Sequence, residues 1–218
     1  MKKLLHIKRQ ESPDSESYYE DFIYEYSDIT ATVATALGTL PVEWEHSCLQ
    51  KKCGACAMVI NGRPCLACDT KLEDLKGENI TIEPLNKFPV IRDLYVDRQS
   101  MMDKLKELSV WLDGKAQKKE EDRVYNASKC IMCGLCLEVC PNFYVGGDFG
   151  GMSAMAPMSR VIATADEKQK MKLYADYQKG IYEGCGKSLA CRNICPAGVD
   201  IENLMVRNNA SRLWNRRQ

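Results

Sequence analysis

The sequence predicts an α+β protein in two parts, a strand-rich N-terminal part over residues 1–97 and a helical part over residues 98–218. Three observations predict it. The N-terminal part opens strand, strand, short helix and then adds further strands. From Val124 onward the apolar spacing is helical. Twelve cysteines fall in separate runs, each confined to one part. That is too many cysteines for ordinary packing, so they need a common chemistry.

Residues Lys3 to Arg9 alternate loosely and read as a strand. Glu11 to Ser17 is polar, contains Pro13 and reads as a turn. Tyr18 to Tyr26 is aromatic-rich and reads as the returning strand. Asp28 or Thr30 can cap a short helix through Val33, Ala34 and Leu37, which Gly38 and Pro41 end. This is how a β-grasp domain begins.

Next comes Cys48, Cys53 and Cys56, then Cys68. The spacing C-x4-C-x2-C-x11-C is that of a plant-type 2Fe-2S site. A tight loop can aim backbone N–H groups and thiolates at a buried, negatively charged cluster, and Gly54 lets the backbone pass close to it. Ala57 to Ile60 reads as a strand, Asn61-Gly62 as its hairpin turn and Pro64 to Ala67 as the return. Cys65 is surplus to the set and reads as a small buried residue. His6 and His46 lack the spacing for a Rieske centre and read as ordinary surface residues or as residues that support the ligands from outside. Ile80 to Glu83 closes the domain as a strand.

Met101, Leu105, Leu108 and Leu112 give a helix with one apolar face. Lys115 to Arg123 is charged and reads as a surface connection. The run Cys130, Cys133, Cys136, Cys140, Pro141 is C-x2-C-x2-C-x3-C-P, in which the fourth cysteine serves a second cluster. Cys185, Cys191, Cys195 and Pro196 answer it, as in a two-cluster ferredoxin, with Ser188 where a further cysteine is expected. One cluster then has four thiolates, from Cys130, Cys133, Cys136 and Cys195. The other has three, from Cys140, Cys185 and Cys191, which suits a 3Fe-4S cluster. Gly146 to Gly151 does not match a dinucleotide fingerprint and reads as a mobile loop. Ala165 to Tyr182 reads as a helix. Asp200 can cap a last helix reaching Trp214, and Arg212, Arg216 and Arg217 read as a solvated basic end.

Lys+Arg and Asp+Glu both number 30, so nothing argues for nucleic acid. No apolar run is long enough to span a membrane. The basic start lacks a signal-peptide core, and reduced thiols holding metal in the cytoplasm is the expectation. A zinc-binding interaction module is the alternative from another class, although zinc sites seldom use these spacings.

The residues resemble the iron–sulfur subunit of succinate dehydrogenase and fumarate reductase. The resemblance rests on the eleven cysteines in register, on Cys53 to Gly62, on Leu66-Ala67-Cys68 and on Glu83 to Leu94. It implies a β-grasp 2Fe-2S domain, a helical domain with 4Fe-4S and 3Fe-4S clusters, and a flavoprotein partner that interconverts succinate and fumarate at FAD. Electrons would pass one at a time to a quinone, through a membrane anchor subunit, or to a soluble carrier. The same relay serving a reductase of a different enoate is the rival within this class. Two departures stand out. Relatives have Arg and Gly where this chain has Leu49 and Lys51, and quinone-reducing relatives carry tryptophan where it has Asn142 to Val145. Phe143 as an apolar wall and Tyr144 as a phenolic donor are the candidate quinone or partner contacts.

Overall fold

The computed structural model describes residues 1–117 and 120–215, with side chains to residue 210. The chain divides into two compact units, Met1–Arg98 and Gln99–Gln218.

The first unit is built on a five-stranded sheet in the order β2-β1-β5-β3-β4. Its strands are β1 (Lys2–Arg9), β2 (Tyr18–Glu25), β3 (Ala57–Ile60), β4 (Arg63–Leu66) and β5 (Asn79–Glu83). β1 and β2 form an antiparallel hairpin, while β5 runs parallel to β1 and antiparallel to β3. This is the expected β-grasp arrangement, with the last long strand in the middle. Leu5, Ile7, Ile80 and Ile82 are fully buried; each contributes about 1.5–3 kcal/mol by leaving water. Asn61 and Gly62 both have positive φ, 49° and 73°, as the tight β3–β4 turn requires.

The short helix α1 (Val33–Leu37) is capped by Thr32, not by Asp28 or Thr30. Thr32 and Thr35 cap reciprocally, each side chain serving the other's backbone N–H. Asp28 instead accepts from the N–H and hydroxyl of Thr30, a local turn that uses up its capping capacity. Two elements were not expected, β6 (Val90–Arg92) and β7 (Tyr95–Val96), a small hairpin of its own. Asp93 at its tip is buried beside Arg9 at 3.0 Å and accepts from the N–H groups of Gln10 and Glu43. The hairpin thereby ties the end of β1 to the segment that leads into Cys48.

The second unit is helical: α2 (Gln99–Glu107), α3 (Glu121–Ser128), α4 (Leu135–Glu138), α5 (Gly151–Thr164), α6 (Glu167–Tyr177) and α7 (Ile201–Asn215). α5 is its axis. Met155, Ala156, Met158, Ile162 and Ala163 are buried all round it, the pattern of a helix enclosed by others. α2 stops short of Leu112, because Ser109 turns left-handed at φ 51°. The expected helix from Ala165 starts only at Glu167. Ala165 is extended and Asp166 is the cap, accepting from Gln169 N–H at 2.8 Å. It ends in a wider π turn over Gln178–Tyr182. Asp200 does cap α7, accepting from Asn203 N–H at 3.1 Å.

Two readings of this half are corrected. Arg123 is not part of a surface connection. It is 2% exposed on α3 and donates to Asn208 on α7. The glycine-rich stretch is not a loose loop either. Gly150 N–H donates to the Gly180 carbonyl at 2.7 Å, and Gly151 starts α5. Phe149 packs on Gly184, where an added Cβ would meet its ring at 2.6 Å. The basic residues Arg212, Arg216 and Arg217 lie outside the described side chains.

Candidate iron–sulfur sites

In the first unit the four expected thiols come from two arms. Cys48, Cys53 and Cys56 lie on the loop that enters β3, and Cys68 sits in a short 3-10 turn after β4. The β3–β4 ladder brings the arms together. Ala67 N–H donates to the Cys56 carbonyl at 3.0 Å, and the Cys56 and Cys68 sulfurs are 3.3 Å apart. The loop is wound so that three successive N–H groups face sulfur. Those of Gln50 and Lys52 donate to Cys48 Sγ, and that of Lys51 to Cys68 Sγ, each at 3.3 Å. Such a run of N–H groups is a concavity for negative charge. It requires left-handed residues, here Leu49 at φ 52° and Lys51 at φ 59°.

Gly54, buried at φ 76°, lets the chain turn back between Cys53 and Cys56. Arg98 fixes this turn by donating to the carbonyls of Gly54 at 3.0 Å and Ala55 at 3.2 Å, while pairing with Glu45.

The thiols respond to this setting in opposite directions. The Gln50 N–H, then the Cys53 thiol and the Lys52 N–H, pull Cys48 down to about 7. Burial pushes Cys56 up to about 12. Burial thus disfavours a thiolate at Cys56, whereas hydrogen bonds from Gln50, Cys53 and Lys52 favour one at Cys48. Four soft donors in a loop rich in N–H groups fit a 2Fe-2S cluster.

In the second unit, Cys130 follows α3. Cys133 and Cys136 flank the start of α4, and Cys140 follows its end. Cys185, Cys191 and Cys195 lie on the segment between the π turn and α7. One apolar cleft is lined by Cys130, Cys133, Cys136 and Cys195, with Met152, Ala156, Val199 and Ile201 as its walls. Burial pushes Cys136 well above the usual thiol range, and the neighbouring Cys133, Cys130, Cys191 and Cys195 add to it. Cys191 is raised by burial first, then by Cys140 and Cys185. Cys191 thus has Cys140 and Cys185 as neighbours and also bears on Cys136. Among the described residues no three His, Cys, Asp or Glu side chains converge on a point fit for a single ion. A polynuclear cluster asks for no such convergence, since its thiolates are shared out among several irons.

Residues 4–103 match the family described as a 2Fe-2S iron–sulfur cluster binding domain, and residues 126–199 match the 4Fe-4S dicluster domain. The chain is 34% identical over 222 residues to the succinate dehydrogenase iron–sulfur subunit of Bacillus subtilis, covering 89% of this chain and 86% of that one. It is 35% identical over 179 residues to the fumarate reductase iron–sulfur subunit of Mycobacterium tuberculosis, covering 75% and 70%. The chain belongs to the iron–sulfur subunit family of succinate dehydrogenase and fumarate reductase. In fold it matches a chain of the Mycobacterium smegmatis Sdh1 complex in the apo form, with a TM-score of 0.78 at 22% identity over 100% of this chain and 98% of the other.

Family membership makes this chain a subunit of an oxidoreductase and sets aside the zinc alternative. Among the described residues no helix is long and apolar enough to cross a membrane. The two candidate quinone or partner contacts part company: Phe143 is buried, whereas Tyr144 is 67% exposed. A cleft of about 320 Å³ lies beside them, lined by α2 and residues 143–150. Cys65 is half-buried on β4 and accepts from the Thr70 hydroxyl at 3.3 Å. His6 stacks on Tyr19 and pairs with Asp21 at 2.5 Å, and His46 stacks on Trp44. The supporting role of Arg98 escaped the sequence reading. Arg98 lies four residues beyond Leu94, where the stretch that carries the family resemblance ends, so no quoted motif reached it.

Proposed function

We propose that this chain is the electron relay between an FAD-bearing flavoprotein that interconverts succinate and fumarate and a quinone or other acceptor. Cys48, Cys53, Cys56 and Cys68 hold a 2Fe-2S cluster. Cys130, Cys133, Cys136 and Cys195 hold a 4Fe-4S cluster, and Cys140, Cys185 and Cys191 a 3Fe-4S cluster. When bound, these groups supply one-electron storage at potentials set by their surroundings. The observation that carries the reading is the cleft lined by Cys130, Cys133, Cys136 and Cys195, a set drawn from two runs far apart in sequence.

The chain's own residues bind, orient and shield. The N–H groups of Gln50, Lys51 and Lys52 stabilise negative sulfur, Arg98 holds the turn that aims Cys53 and Cys56, and Met152 and Ala156 keep water from the second site. Tyr144 lies on the face where a membrane anchor or soluble carrier docks. The subunit works in the cytoplasm, against the membrane where an anchor is present.

Iron and sulfide analysis of anaerobically purified protein tests the reading. About nine iron atoms per chain are expected, the sum for the three cluster types. A content near four overturns it.

A further inference from the structure

The 2Fe-2S reading leaves the side chains of Lys51 and Asp69 without a role. Lys51 Nζ lies 2.6 Å from Asp69 Oδ2, with both side chains about half exposed. Lys51 belongs to the loop between Cys48 and Cys53, and Asp69 directly follows Cys68. The ion pair therefore joins the two arms that carry the thiols. Lys51 grips the second arm twice, since its N–H also donates to Cys68 Sγ at 3.3 Å. It does so from a left-handed backbone at φ 59°, which a residue with a Cβ adopts only at a cost.

An exposed pair of this kind adds little stability. What it does place, on the two segments that carry the thiols, is one positive and one negative charge. We propose that Lys51 and Asp69 are positioning residues that set the potential of the 2Fe-2S site by opposed charges. This rests on the reading of Cys48, Cys53, Cys56 and Cys68 as ligands. Reduction adds one negative charge to the site. A cation at Lys51 favours that charge, an anion at Asp69 opposes it, and the pair holds the two effects in balance.

The test is a redox titration of the 2Fe-2S electron paramagnetic resonance signal in the assembled complex, at low and high salt. Lys51→Gln, Lys51→Gly, Asp69→Asn and the double variant Lys51→Gln with Asp69→Asn are compared with wild type. Both Lys51 variants lower the midpoint potential by similar amounts. Asp69→Asn raises it, and the double variant falls between. The shifts shrink as salt rises, because half-exposed charges are screened. Lys51→Gly also relieves the left-handed residue, so its agreement with Lys51→Gln separates charge from loop geometry. Shifts of the same sign in Lys51→Gln and Asp69→Asn overturn the proposal, since that is the response of a strap whose loss admits water. No shift in either also overturns it. Absence of any 2Fe-2S signal from wild type overturns the ligand reading instead.

Discussion

The guanidinium of Arg98 donates to the carbonyl of Gly54 at 3.0 Å, from forty-four positions further along the chain. A hydrogen bond from a charged donor is worth about 1.5–3 kcal/mol, and this one holds the tightest part of the cysteine loop. Arg98→Met is expected to release iron from the 2Fe-2S site to a chelator several-fold faster than wild type. The signals of the C-terminal clusters decay at the wild-type rate. Arg98→Lys recovers only part of the loss, because one ammonium cannot serve both carbonyls and Glu45 in the planar fork geometry.

Asp93 gives a pH-dependent counterpart. Burial works to raise its carboxyl, but the Arg9 guanidinium beside it and the N–H groups of Glu43 and Gln10 outweigh burial and hold it below the ordinary range. A group depressed in the folded state stabilises above its unfolded value, about 3.9, and that contribution is lost as pH falls through the lower folded value. Asp93→Asn should therefore be less stable than wild type at neutral pH. The gap should close in acid, below the usual carboxylate range. Denaturant melts of the first unit's signals at a series of pH values measure it, and a gap constant with pH contradicts it.

Arg123, Asn208 and Ser159 form a buried polar chain in the second unit. Arg123 donates to Asn208, Asn208 Nδ2 donates to Ser159 Oγ at 2.6 Å, and Ser159 Oγ donates to the Met155 carbonyl at 2.7 Å. Asn208→Leu removes one charged hydrogen bond, at a cost of about 1.5–3 kcal/mol, and leaves Arg123 paired with Glu120 at 3.3 Å. Arg123→Met removes the charge itself and costs less. Thermal melting of the loaded protein should rank wild type first, Arg123→Met second and Asn208→Leu last.

Ser188 stands exposed between Lys187 and Leu189, both left-handed at φ 57°. A hydroxyl is a far poorer ligand for iron–sulfur chemistry than a thiolate. Ser188→Cys is expected to admit a fourth iron at the Cys140, Cys185 and Cys191 site and to lower its potential. An unchanged 3Fe-4S resonance in the oxidised variant would place the vacant corner elsewhere.

Tyr144 is open to solvent, with its ring against Gly147. Tyr144→Phe is expected to slow electron exchange with the physiological acceptor several-fold more than exchange with an artificial dye. Equal slowing of both removes its hydroxyl from the docking face.

The cysteine spacings and the alternating strands were legible because each depends on neighbours in sequence. Thr32 was missed as a cap because Asp28 and Thr30 have the same local chemistry, and only their mutual hydrogen bonds take them out of contention. Arg123 read as solvated because its acceptor, Asn208, lies far along the chain. The β6–β7 hairpin hid for a similar reason. Its tip is held by Asp93 reaching Gln10 and Glu43, and no periodicity records such a contact. The glycine-rich segment looked loose, yet Phe149 seals it against Gly184.

The central place of β5 has a consequence for biogenesis. Leu4 pairs with Asn79 and Ile60 with Ile82, so β1 and β3 are joined only once this late strand slots between them. All five N-terminal thiols have left the ribosome before that happens, yet the β3–β4 ladder that follows Cys56 is not anchored to the first hairpin until it does. Loop closure over so long a stretch is slow. Metal loading is therefore expected to follow closure, and a nascent chain halted before residue 79 would display Cys48, Cys53, Cys56 and Cys68 without a frame to hold them.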